Sequence, residues 1–590
     1  MKLEQPTEDG IAWPGKSTRH ILARPDATSV AKLLEPWIQD CRLKHDFCKK
    51  IQDDRLTHDF CKTSLELPTR VIYVGGEDNK NIHLFQPQED QKSGHEYVAL
   101  SHCWGLSQHL ISTKSTIENW KQNIPWAKLP RTFQDAIALT RCLGIHYIWI
   151  DSLCIVQDDK GDWESEAAKM GTVYNDATFV IAATASVDGD GGLFLPKLSH
   201  STIRGIDQHQ NTFEVFVKRT IPHTAFTWGS TAISHSGTRH GMTDPVGYPL
   251  FARAWCFQER VLGRRILHFT QHEIVFECLT SLQCECGSLS DYTGDWLLPF
   301  RRLTSAFSVD TEHIKSRPPY LGNHPPVTDK DFIIGELPEL VVKRYDSDEM
   351  SRFLVWQDLV SEYSRKSITR YSDWLPALGG LASRWFSLKT GPYLAGLWPN
   401  DLLRSLLWIA VGSDREEKLS YIAPTWSWAS VQRAVRWPTK GNISSTYFIQ
   451  VDLTKSQVVT LGLAVYGQLK DGWILLKGCI AEVELARIRS DSFSEPRAYL
   501  NIDGIAQEVR VDDIQRCASH VGSKVLWLKY CNDGGHERAI ILATAPEEAV
   551  QRLPQEIQSS PIICQRLGVV EYVNKDIELP NMRLESMYII

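Results

Sequence analysis

The chain has 590 residues, 43% of them hydrophobic, and 64 Lys plus Arg against 71 Asp plus Glu leave a net charge of -7. That length predicts about three to five domains with sizeable cores, and the interspersed charges offer no basic stripe for a phosphate backbone, so no nucleic-acid partner is expected. Fourteen cysteines are too sparse for a disulfide scaffold and read mainly as small buried hydrophobes, while twenty tryptophans suit large cores.

The first ten residues, MKLEQPTEDG, have neither the apolar core of a signal peptide nor the Arg-rich character of a transit peptide, so a cytoplasmic protein is expected. The longest apolar run, SLLWIAVG at 405–412, falls well short of the roughly 18 to 20 residues of a membrane span, and none is expected.

In chain order, residues 1–96 read as an arm, a helix and a strand. Residues 1–30 are polar and broken by Pro6, Pro14 and Pro25, which predicts a loosely held arm. Helical spacing runs from about Val30 to Cys48, where HDFCK at 45–49 recurs at 58–62; two copies do not make a solenoid. LPTRVIYV at 67–74 reads as a strand turned by Gly75 and Gly76.

Residues 97–280 form the second region. Tyr97–Cys103 is a strand-length apolar run, and Thr132–Leu143 carries apolar residues at helical spacing, with Thr132 as expected N-cap, Asp135 three residues on and Gly144 as the stop. His146–Ile150, Trp163–Tyr174 and Thr178–Thr184 complete a βαβαβ unit, predicting an α/β fold with a mostly parallel sheet. Residues 199–247 read as irregular, 253–265 as a helix, and RILHFT with EIVFEC as a hairpin. In the third region, 281–440, Pro-rich 317–345 reads as a linker and 351–412 returns to helical spacing. In the fourth, 441–590, runs such as WILLKGCIAEVEL, KVLWLKY and AIILATA predict a mainly β region.

Ligands in an open parallel sheet bind beyond the carboxyl ends of the strands. The first strand ends at Ser101, His102, Cys103, Trp104 and Gly105; the second ends at Asp151 and Ser152, with Cys154 and Gln157 beyond. If the strands are neighbours these groups share a crevice. Spacing four puts Glu166, Met170 and Tyr174 on one helical face, aimed at the same end. Asp151 and Glu166 are the candidate catalytic carboxylates, and Ser101, Trp104, Cys154, Gln157 and Tyr174 the candidate ligand-binding residues. Each has a plainer role: Asp151 as a cap, Cys103 and Cys154 as packing, Glu166 as a first-turn acid. Ser101 lacks the glycine-flanked elbow of a hydrolase serine. Arg253, Trp255, Gln258 and Glu259 complete the crevice or form ion pairs.

Cys41, His45, Cys48, His58 and Cys61, and separately Cys278, Cys284 and Cys286 with a fourth ligand, have spacings that zinc uses. Neither set matches a firm finger pattern, and no metal is expected.

YVALSHCWG, LPRTFQDAI, YIWIDSLCIVQDD with DWESEAAKMGTVYNDA, and RAWCFQERVLGRRILHF occur in the order of the successive motifs of fungal heterokaryon-incompatibility (HET) domain proteins, which the chain resembles over about 97–278. WIQDC, LPTRVIYV, YSDWLPALGGLA and APTWSWASV extend the likeness into the flanks. His102 stands where Tyr is often found, and Ser152 where Ala is common. The resemblance implies a fungal protein of non-self recognition and programmed cell death, acting through other proteins or self-association. It also implies a domain likened to the TIR fold, some members of which cleave NAD with a helical glutamate. By that analogy Glu166 would be catalytic, NAD the substrate, and Trp104 or Tyr174 the stacking ring, the alternative being a tailoring enzyme that recruited the crevice. No phosphate-cradling glycine loop, P-loop, WD or ankyrin repeat is evident.

Overall fold

A computed structural model describes residues 2–4, 21–45, 48, 66–76, 81–105, 110–197, 201–206, 212–218, 221, 223–227, 248–289, 301, 341–342, 347–386, 392–412, 421–438, 445–462, 464–489, 496–533, 536–574, 577–579 and 581–590. The chain divides into two compact units, Met1–Phe307 and Ser308–Ile590. The second HDFCK copy lies outside the described residues, as does 317–345 apart from Val341–Val342.

In the first unit, helix α1 (Ala27–Leu43) begins earlier than its apolar spacing suggests, because Asp26 and Ser29 cap each other in a capping box. Its buried stripe is Val30, Leu34, Trp37 and Cys41. Eight strands then form one sheet. They are β1 (Val71–Tyr73), β2 (His83–Phe85), β3 (Val98–Ser101), β4 (Tyr147–Trp149), β5 (Phe179–Ala182), β6 (Arg265–Phe269), β7 (Ile274–Cys278) and β8 (Leu282–Cys284), in the order β8-β7-β6-β5-β3-β4-β1-β2.

The expected βαβαβ unit is the centre of this sheet. Strand β3 pairs in parallel with β4 on one side (Val98 with Ile148) and β5 on the other (Val98 with Phe179), and β5 pairs in parallel with β6. Helix α2 (Arg131–Cys142) connects β3 to β4, and α3 (Lys160–Asp176) carries the chain from β4 past β3 to β5. Strands covered on both faces read as continuous apolar runs, and every residue of β3 and β5 is buried. The remaining pairings are antiparallel, so the sheet is mixed: a parallel centre with antiparallel strands on each side.

Three expectations are corrected. Pro130, not Thr132, is the N-cap of α2, since its fixed φ leads directly into the helix. Thr132 and Asp135 instead hold the glycine-rich segment after β5. The Gly192 N–H donates to Thr132 Oγ1 at 3.0 Å, and Leu193 N–H to Asp135 Oδ2 at 2.8 Å. Residues 199–247 are not wholly irregular, because Ser201–Ile206 and Thr212–Lys218 form an antiparallel hairpin. The amino-terminal arm is held where it is described: Lys2–Glu4 adds a third strand to that hairpin, and Lys197 N–H donates to the Ala23 carbonyl at 3.0 Å. Pairing between distant segments leaves no mark on local composition.

The second unit is largely β, as its sequence runs suggest. Leu469–Arg489, Arg497–Ile502, Ile505–Val511, Ile563–Val570, His536–Thr544 and Lys524–Asp533 pair in that order, and the last pairs back onto the first. This closed ring has no free edge and holds a core of Val483, Leu500, Val509, Trp527 and Ile541. Helices Ser347–Tyr363 and Pro376–Phe386 belong to the same unit. The indole N–H groups of Trp356 and Trp428 both donate to the Gly396 carbonyl. Buried Arg566 pairs with Asp512 at 2.8 Å and lies 3.7 Å from the Trp408 ring centre. Among the described residues no helix is long and apolar enough to cross a membrane.

Candidate functional site

Beyond the carboxyl end of β3 the chain runs through His102, Cys103, Trp104 and Gly105. Gly105 has φ +75°, and a Cβ there would stand 2.4 Å from Asp188 Cβ. Only glycine lets this segment rest against the loop that follows β5. The loops after β3 and β5 meet where the strand order reverses, the position at which such sheets form a crevice.

Asp151 opens the single turn Asp151–Cys154 after β4. Its Oδ2 accepts the Trp104 indole N–H at 2.7 Å, its Oδ1 accepts the Ser152 backbone N–H at 2.7 Å, and His102 Nδ1 lies 3.7 Å from Oδ1. His102 in turn sets its ring edge-on to Phe133 of α2, 5.0 Å between centres. Asp151 therefore joins the segment after β3 to the segment after β4.

A further buried acid, Glu259, stands on helix α4 (Ala254–Leu262). It is buried, accepts the Ser101 hydroxyl through Oε2, and has the Tyr174 hydroxyl within hydrogen-bond reach. Burial pushes its carboxyl up to about 8, opposed by the Ser101 hydrogen bond and reinforced by the Asp151 charge. Burial likewise pushes the Cys103 thiol up to about 11, and Cys256 well above the usual thiol range, so neither is an activated nucleophile. Ser101, Phe251, Cys256, Arg260 and His268 line a small cavity beside Glu259.

Glu166 lies beside Cys154 after β4, apart from the Ser101–Glu259 pair. It is 3% exposed and its Oε1 pairs at 2.8 Å with Lys169, which also reaches Thr69 Oγ1 at 3.1 Å. On the same flank Arg70 makes a two-pronged contact with Asp162 at 2.6 and 2.7 Å, and donates from Nε to the Cys154 carbonyl at 2.7 Å. Cys154 is buried and its thiol is pushed up to about 12, first by that burial, with the Glu166 and Asp151 charges adding. Gln157 turns inward, its amide donating to the Asp151 and Ile155 carbonyls at 3.1 Å each. Tyr174 is a core residue whose hydroxyl meets the Leu100 carbonyl at 3.1 Å and whose ring packs edge-on against Trp149.

Of the residues singled out from sequence, Ser101 and Tyr174 thus meet at Glu259 and Trp104 meets Asp151, whose charge acts on Glu259, while Glu166, Cys154 and Gln157 brace the turn between β4 and α3. Glu259 was legible only as a member of a crevice-or-ion-pair set. The signal that marks it is the run Cys256–Leu262, every residue of which is buried; a carboxylate inside such a run has no solvent face to use. Trp255 meets Trp163 edge-on, 6.2 Å between centres.

Two groups of side chains have the composition and spacing to hold a metal: Cys41, His45, Cys48 and Cys278, and His223, Glu273, Cys284 and Cys286. Their grouping differs from that suggested by sequence, because Cys278 parts from Cys284 and Cys286 to join the helix-end cluster.

Neither a curated protein nor a solved structure matches the chain. Residues 97–259 match the family model described as Heterokaryon incompatibility protein (HET). That span begins just before β3 and ends at Glu259, so it contains β3, β4 and β5 together with Ser101, Asp151 and Glu259, and stops short of β6. Over residues 97–259 the chain thus carries a heterokaryon-incompatibility (HET) domain.

Proposed function

We propose that this protein is a cytoplasmic signalling or cell-death effector of fungal non-self recognition, and that its HET domain acts by associating with other proteins or with itself. The observation that carries the reading is the engagement of both candidate carboxylates in holding the fold. Asp151 uses one oxygen for Trp104 and the other for the Ser152 backbone, and Glu166 is buried against Lys169. A general acid or nucleophile needs a lone pair or proton directed at substrate. In this reading these polar contacts fix the segments after β3 and β4 as a rigid platform. Induced expression in a filamentous fungus tests it: the wild-type chain arrests growth and Glu166→Gln arrests it equally, with cellular NAD unchanged in both. A wild-type chain that depletes NAD, with a stably folded Glu166→Gln variant that neither depletes it nor arrests growth, overturns it.

A second reading, an enzyme that uses the crevice, is favoured by Glu259. A carboxyl at about 8 beside Ser101 and a small cavity is suited to exchange a proton near neutral pH. NAD is the substrate to try first, given the TIR likeness of the family. Nicotinamide release by the purified chain that disappears in Glu259→Gln would favour this reading over the first.

A further inference from the structure

Cys41 lies in the last turn of α1, with His45 and Cys48 just after it, while Cys278 ends β7 at the far side of the unit's sequence. Cys41, Cys48 and Cys278 are buried, at 0%, 5% and 1% exposure, and the four potential ligand atoms all lie within 4.8 Å of one another. A tetrahedral zinc ion with Zn–S of about 2.3 Å and Zn–N of about 2.0 Å sets its ligand atoms roughly 3.5 to 3.8 Å apart. The Cys278 Sγ to His45 Nδ1 separation is 3.3 Å.

The surroundings suit thiolates more than packed thiols. Thr280 and Ser281 each direct a backbone N–H at Cys278 Sγ, at 3.4 Å, and the Arg265 guanidinium directs Nε at Cys41 Sγ, at 3.3 Å. Outer donors of this kind orient metal-bound sulfurs and offset their charge. Three thiolates and a neutral imidazole around Zn²⁺ sum to one negative charge, and Arg265 supplies one positive charge beside it. A disulfide would use two of the three sulfurs and strand the third beside His45.

We propose that Cys41, His45, Cys48 and Cys278 bind one structural zinc ion, which staples the end of α1 to the β7–β8 hairpin. On binding, the three thiol protons leave to solvent and no electrons are transferred. Four protein ligands close the coordination shell, so the ion has no open position for chemistry. Its contribution is to folding, since it joins segments more than two hundred residues apart that the unfolded chain would not hold together. The proposal is independent of what Ser101, Asp151 and Glu259 do.

The test uses the full chain, purified in reductant without chelator and supplied with zinc. Zinc content measured by mass spectrometry falls by one ion per chain in Cys41→Ser and in Cys278→Ser, whereas His45→Cys keeps it. Because the comparison is a difference from wild type, metal held by His223, Glu273, Cys284 and Cys286 does not enter it. If the serine variants do not fold, alkylation of the wild-type chain decides: a chelator makes Cys41, Cys48 and Cys278 reactive together, as mapped on peptides. Equal zinc content in Cys278→Ser and wild type, alkylation unchanged by chelator, or a disulfide among the three cysteines under these conditions overturns the proposal.

Discussion

Trp104 donates its indole N–H to Asp151 Oδ2 across 2.7 Å, and this one bond links the segments that leave β3 and β4. Losing it loosens their contact, which the bridge between Ser112 and Val156 also holds. Asp151→Ala is expected to destabilise the first unit by about 1.5–3 kcal/mol, the range for a hydrogen bond to a charged group. Trp104→Phe costs less, and the pair is non-additive, with a coupling of about 0.5–3 kcal/mol. Denaturant unfolding of the two single variants and the double variant measures this. Additive losses would show that the bond does not hold the segments together.

Glu259 gives the fold a pH dependence of defined sign. Its carboxyl is raised from 4.5 to about 8 in the folded chain, so between those values the native state binds a proton that the unfolded state has lost. Stability from this group is complete below the unfolded value and declines as pH rises toward about 8. Glu259→Gln removes the decline, so the variant has a flatter stability profile across that window and gains on wild type at its alkaline end. Melting temperatures at intervals from pH 5 to 8.5 (about one measurement per half unit) test the sign; parallel profiles would contradict it.

Gly105→Ala places a methyl group 2.4 Å from Asp188 Cβ on a residue with φ +75°. The strained backbone alone costs about 1–3 kcal/mol, and the clash adds to it. Thermal unfolding is expected to shift downward, with increased proteolysis in the loop after β5 as the second readout. Unchanged stability would mean that the loops do not meet as described.

In the second unit, Arg566→Met leaves Asp512 as an unpaired buried carboxylate, which is expected to cost about 3–5 kcal/mol. Replacing both, as Arg566→Met with Asp512→Leu, recovers much of the loss. Chemical denaturation of the three variants checks this order.

The parallel centre was readable because its elements are local. The run 97–103 contains β3, the helical spacing over 132–143 lies within one residue of α2, and 178–184 contains β5. Less readable were the relations across the sequence. Thr132 resembles a cap until Gly192 is seen to donate to it, and Cys278 groups with Cys284 by spacing but with Cys41 in space. Glu166 lies beside Cys154 after β4, but its spacing does not reveal that Lys169, one turn on, takes its carboxylate. Spacing fixes which face a side chain shares. It does not fix which neighbour a neighbouring element supplies.

The account turns on whether the domain signals without chemistry at its buried acids. Growth arrest should therefore be scored for the double variant Glu166→Gln with Glu259→Gln, expressed at the wild-type level and shown by its melting curve to be folded. The account predicts arrest equal to wild type; a folded double variant that leaves growth unimpaired while wild type arrests it would contradict the account and place catalysis in the crevice.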